Sequence, residues 1–119
     1  VIMPVVINDA GEVLLEKRPP SGIWGGLWSL PECEDELAFS CWCERVGCLI
    51  DNAESIEPFR HTFSHYHLMI NPYSIHHEGR IRKIADSPSL VWHHLDTLEG
   101  LGLPAPVRRI LQCCIKKGR

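Results

Sequence analysis

Apolar positions open the chain in a nearly unbroken run, "VIMPVVIND", which reads as a strand. "DAGE" follows as a tight turn, and "VLLEKR" returns as the second strand of a hairpin. The next stretch, "PPSGIWGGLWSLP", has no periodicity and is rich in glycine and proline, so a loop carrying two tryptophans is predicted. The spacing then changes. In "ECEDELAFSCWCERV", Phe39, Trp42, Cys43 and Val46 fall on one stripe at three- and four-residue intervals, which predicts a helix with that face in the core. Acidic residues crowd its first turns, as the helix dipole favours, and Gly47 ends it.

Beyond this helix, "SIEPFRHTFSHYHLMINPYSIH" is strand-like, with alternation in its middle and Pro72 ending or bending it. A regular strand over Arg60 to Leu68 would turn His61, Phe63, His65 and His67 to one face, with Thr62, Ser64, Tyr66 and Leu68 on the other. If Phe63 instead packs inward while Ser64 and His65 sit at a bend, the stretch is partly loop. "HHEGR" reads as a turn, "SLVWHHL" as a strand, and "APVRRILQCCIKK" as a final helix opened by Pro104 and Pro106. Strands, helix, strands, helix in that order imply an α+β domain, a mixed β-sheet packed between helices. With no repeat, linker or low-complexity segment, residues 1–119 read as a single domain. A strand pattern from the first residue, with no initiator methionine, is expected of a domain cut from a longer protein.

Composition narrows the function classes. The 119 residues are 45% hydrophobic and 23% charged, as in a globular domain. No apolar run approaches the ~18–20 residues that cross a bilayer, so no membrane partner is expected. The formal charge of −3 lacks the basic character of a stand-alone DNA binder. It leaves room for a domain that reads one base while another domain supplies the phosphate contacts.

The six cysteines form no C-x-x-C knuckle, and reduced thiols are expected. Cys41 and Cys43 would stand about 200° apart on a helix of 3.6 residues per turn, so they cannot chelate one ion. Cys43 is expected in the core and Cys41 as an idle thiol. His65-x-His67 could share an ion on one strand face, but no third ligand has motif spacing nearby. No metal site is expected.

Counted from Gly26, the chain fits a known pattern without gaps. The Nudix hydrolase box reads G-x5-E-x7-R-E-U-x-E-E-x-G-U, with U bulky and apolar. Gly26, Glu32, Trp42, Glu44 and Gly47 match, and Cys48 takes the last apolar place. The Arg-Glu pair falls on Ser40 and Cys41, and the second paired glutamate on Arg45. Residues 41, 44 and 45 share a helix face, where a working box would hold Mg²⁺ with three carboxylates. Magnesium requires hard oxygen ligands, and a thiol and a guanidinium supply none. The box is degenerate, and Nudix-type hydrolysis is not expected.

"LLEKRPPSGIWGGLWSLPE", then "FRHTFSHYHL", then "VWHHLDTLEGLGLPAPVRRIL" closely resemble the C-terminal domain of MutY-type A/G-specific adenine DNA glycosylases. The resemblance covers nearly the whole chain and rests on several motifs in order. It implies a Nudix (MutT-like) fold that performs no hydrolysis and helps to recognise 8-oxoguanine opposite misincorporated adenine in duplex DNA. The family's Phe-Ser-His loop, which approaches the damaged base, matches Phe63, Ser64 and His65. The implied partners are duplex DNA with the 8-oxoguanine:adenine mispair and the parent's catalytic domain, with the domain itself a monomer.

No cofactor is expected in this domain. A [4Fe–4S] cluster is implied only for the missing N-terminal domain, since no four-cysteine motif of that spacing occurs here. The implied location is the bacterial cytoplasm and nucleoid, or the nucleus in a eukaryote. Arg60, Lys17 and Arg18 are candidate phosphate contacts, with Arg80, Arg82 and Lys83 behind them. Trp24, Trp28 and Trp92 are expected to pack in the core or against loops rather than to stack on bases. The alternatives are a MutT-like Mg²⁺-dependent 8-oxo-dGTP pyrophosphohydrolase and a protein-interaction module that keeps the fold only as scaffold.

Overall fold

The structure, a computed structural model, describes residues 1–17, 26–48, 50–62, 67–77 and 90–117. Strand β1 (Ile2–Asn8) turns through residues 9–11 into β2 (Glu12–Lys17). The turn is built by Asn8, whose Oδ1 accepts from the Ala10 and Glu12 amides at 3.0 and 2.9 Å. Gly11 supplies the left-handed residue at φ +78° that such a three-residue hairpin turn requires. Arg18 and the expected loop up to Gly25 lie outside the described residues. The remainder of that loop differs from expectation, because it contains a short strand, β3 (Trp28–Ser29), paired with Glu16 and Lys17.

The first helix, α1, spans Glu36–Val46 and starts four residues later than the acidic run suggested. Its N-cap is Asp35, which accepts from the Ala38 amide at 2.8 Å. The preceding residues belong to the sheet. Cys33 exchanges two backbone hydrogen bonds with Ile2, at 2.7 and 2.8 Å. Residues 28–33 thus fill the gap where β1 and β2 diverge, and a strand-like pairing wins over helix propensity. Gly47 ends α1 at φ +86°, as expected, and its amide and that of Cys48 both donate to the Cys43 carbonyl.

The long strand expected after α1 is three strands: β4 (Glu54–Ser55), β5 (Phe59–Thr62) and β6 (His67–His77). β5 and β6 are antiparallel, from Phe59 opposite Ile70 to Thr62 opposite His67. His61 and His67 therefore stand on different strands and on opposite faces, not on one face as regular alternation required. Pro72 does not end the strand, for β6 runs through it to His77 in parallel with β1. The physical reason lies in which way its nitrogen points. Asn71 donates toward β1, to the Val1 carbonyl, whereas the Pro72 carbonyl accepts from Ile56 on the opposite side. The missing N–H of Pro72 faces Ile56, just past the last residue of β4, so the ladder to β1 loses no bond. Of the expected turn "HHEGR", the two histidines belong to β6 and the rest lies outside the described residues.

β7 (Leu90–His94) and α2 (Ala105–Lys117) follow the predicted spans, with a 3-10 turn at Leu95–Gly100 between them. The strand order is β3-β2-β1-β6-β4, with β7 on the far edge of β2. Both faces are covered, which is why β1 and β2 read as continuous apolar runs. Ile2, Val6 and Leu14 meet Phe39, Trp42, Cys43 and Val46 of α1. Met3, Val5, Val13 and Leu15 meet Val107, Ile110 and Leu111 of α2. Among the described residues no helix is long and apolar enough to cross a membrane.

Candidate functional site

The outward face of α1 carries the altered box. Cys41, Glu44 and Arg45 are all exposed, with Cys41 about one helical turn from each of the other two, while Trp42 and Cys43 are buried behind them. Ser40 and Glu32 are half-buried, and Gly26 holds φ +76° just ahead of β3. The charge of Arg45 lowers the pKa of the Cys33 thiol while those of Glu16, Asp35 and Glu32 raise it, so charges from β2, α1 and the segment between them are felt at one buried thiol. Glu16 was not legible as part of this group. A lone acid in the apolar strand "VLLEK" was the signal that could have found it. Burial is the larger influence on Cys33 and pushes its thiol up to about 11.

This donor set does not suit Mg²⁺. A guanidinium stands where the second paired carboxylate would be, and a thiol takes another acid's place. Among the described residues no three His, Cys, Asp or Glu side chains are placed to hold a metal ion.

The expected base-reading residues Phe63, Ser64 and His65 lie outside the described residues, as do Arg18 and Trp24. Thr62 and His67 form the last rung of the β5–β6 ladder, and Thr62 Oγ1 lies 3.0 Å from His67 Nδ1. β6 begins four residues ahead of the point where it joins β1, so this hairpin projects from the end of the sheet that also carries Lys17 and β3. Lys17 holds its ammonium 5.2 Å from the Trp28 ring, and Trp28 meets His93 edge-on at 4.6 Å. Arg60 is exposed on β5. Trp28 and Trp92 pack against the two cores, as expected of them. At the opposite end of the sheet, a cleft of about 610 Å³ opens beside the 2.7 Å hydrogen-bond contact of His76 Nε2 with Asp9 Oδ1.

The NUDIX domain model matches residues 2–113. The chain belongs to the NUDIX domain family. Within that family, this NUDIX domain is 29% identical over 107 residues to an adenine DNA glycosylase of Buchnera aphidicola subsp. Baizongia pistaciae, covering 90% of this chain and 30% of that protein. It thus spans under a third of the length of that curated relative. In structure it resembles the C-terminal domain of mouse MUTYH, solved in complex with human PCNA, with a TM-score of 0.78 at 19% identity over 98% of this chain and 86% of that one. It also resembles a MutT NUDIX hydrolase from Burkholderia pseudomallei, with a TM-score of 0.68 at 23% identity and 93% coverage of both chains. Likenesses at this identity establish the Nudix fold.

Proposed function

We propose that this NUDIX domain is the recognition module of an adenine DNA glycosylase, helping to read 8-oxoguanine opposite misincorporated adenine in duplex DNA, and that it performs no hydrolysis of its own. The observation that carries this reading is similarity to an adenine DNA glycosylase across nine-tenths of the chain, in a domain whose metal-binding acids are replaced by Cys41 and Arg45. The glycosylase chemistry, and the iron–sulfur cluster that goes with it, belong to the part of such a protein that this chain does not span. The domain acts as a monomer beside that catalytic part.

The chemistry of the lesion fits Ser64. Oxidation at C8 turns N7 of guanine into a hydrogen-bond donor and places a carbonyl acceptor beside it. A serine hydroxyl can accept from the first or donate to the second. Undamaged guanine offers an acceptor at N7 instead, so a correctly placed Ser64 discriminates by about 1–3 kcal/mol. Phe63 supplies an apolar wedge, and His65 a donor to phosphate or base.

Binding of duplexes carrying 8-oxoguanine:adenine or guanine:adenine tests the reading, with wild type and Ser64→Ala. A preference for the damaged duplex that shrinks in Ser64→Ala is expected. Equal, Ser64-independent affinity for both would overturn it.

A further inference from the structure

The geometry points to the outward face of the β5–β6 hairpin as a surface for the DNA sugar-phosphate backbone, with Arg60 and His67 as its phosphate contacts; this rests on the proposed DNA-reading role. Register defines the face. Arg60 stands opposite Met69 and Thr62 opposite His67, so these four side chains share one side of the ladder. All four are exposed, Met69 by 53%. The reverse side is the anchored one. Phe59, Leu68 and Ile70 pack into the core under α2, and the Arg109 guanidinium covers the Phe59 ring at 4.5 Å. The outward side has no such cover among the described residues.

Charge selects the occupant. None of the chain's 15 acids falls within residues 58–77, whereas five of its seven histidines do. Exposed acids instead gather around the start of α1, at Glu34, Asp35 and Glu36. A polyanion approaching this domain of net charge −3 meets least repulsion at the hairpin.

The Thr62–His67 contact adds direction. When the ring is neutral and the Thr62 hydroxyl donates to Nδ1, the proton resides on Nε2. When the ring is cationic, Nδ1–H donates to Thr62 Oγ1 and Nε2–H is again present. These two states present Nε2–H as a donor to a phosphate oxygen, and a nearby phosphate favours them over the neutral tautomer protonated at Nδ1, whose Nε2 is an acceptor. Such contacts carry no sequence information; they fix the register at which a neighbouring loop meets a base.

A ¹H–¹⁵N NMR titration with each duplex, 8-oxoguanine:adenine and guanine:adenine, tests this at low salt, where weak binding is visible. Amides of residues 59–62 and 67–70 should shift with both duplexes. Arg60→Ala and His67→Ala should each weaken both complexes equally, by roughly three- to tenfold, and Arg60→Ala, which removes a fixed charge, should also lower the salt slope by about 1. Arg108→Ala, which removes an exposed cation from α2, should change neither. Unmoved hairpin amides, or Arg60 and His67 variants that bind like wild type, would refute the surface. The two proposals fail separately. A Ser64-dependent preference for the damaged duplex with neutral Arg60 and His67 variants sinks only this surface. Hairpin-dependent binding that ignores both the lesion and Ser64 sinks only the base-reading role.

Discussion

Nδ2 of Asn8 donates to Oε1 of Glu12 at 3.0 Å, and both side chains are buried where the first hairpin turns. The same asparagine accepts from the Ala10 and Glu12 amides, so one side chain holds both ends of the turn.

Replacing Asn8 by Ala strips these partners from a buried carboxylate and two amides. Each unsatisfied buried group costs about 1–3 kcal/mol. Asn8→Ala should lower stability in urea unfolding by about 2–4 kcal/mol with the m-value kept. A loss under about 0.5 kcal/mol would mean that water replaces the asparagine.

Gly47 offers a cleaner backbone test. Its φ is +86°, and a Cβ added there would meet nothing within 4 Å. The penalty for Gly47→Ala is therefore conformational, about 1 kcal/mol. Gly47→Asn should cost less, because asparagine tolerates the left-handed region. Thermal unfolding of the two variants should rank them in that order.

Alkaline pH should unfold this domain through its core thiols. Burial raises Cys33 and Cys43 to about 11 and Cys48 to about 12, against an ordinary 9.0. Between these values the folded chain keeps protons that the unfolded chain has lost, so stability is full below pH 9 and falls as pH rises toward 11–12. Cys48→Ala should flatten that slope, and urea midpoints measured from pH 8 to 11 report it. At neutral pH a thiol reagent should modify the exposed Cys41 and Cys113 well before the buried Cys33, Cys43, Cys48 and Cys114.

On the acid side, His93 carries the opposite sign. Burial lowers its pKa from 6.5, and its Nε2 is buried with no partner among the described residues, beside Trp28. The unfolded chain takes up a proton there that the folded chain resists, so stability is full above pH 6.5 and declines as pH falls. His93→Phe should reduce the slope of stability against pH over that acid range.

The altered box makes its own prediction. Wild type should release no pyrophosphate from 8-oxo-dGTP in the presence of Mg²⁺. Cys41→Glu combined with Arg45→Glu puts three carboxylates on the exposed α1 face, and calorimetry should detect divalent-cation binding in that variant alone. Mg²⁺-dependent release by wild type, abolished in Glu44→Gln, would restore the hydrolase reading.

Local order was legible wherever a short-range pattern decided it. The stripe Phe39, Trp42, Cys43, Val46 is buried as its spacing required, and α2 begins between Pro104 and Pro106. Replacement of the box acids was also plain from residue type alone. What the pattern hid depends on partners far away in sequence. Acids at 32–35 look helical, yet Cys33 is held by Ile2, thirty-one residues earlier. "FSHY" contains no Gly, Pro, Asn or Asp, so residue type gave no turn signal, and it was the Phe-Ser-His loop implied by resemblance that anticipated the reversal between Thr62 and His67. Pro72 looked like a terminator because its acceptable orientation is set by which neighbour it faces.

Side-chain periodicity and residue chemistry are properties of adjacent residues, and the sequence by itself therefore determined the two helical faces, the apolar strands and the loss of a magnesium ligand set. Register, strand reversal and the bridging of Cys33 to Ile2 arise from pairings between distant segments. Those pairings form only when both faces of the sheet are buried, so the tertiary structure alone decided them.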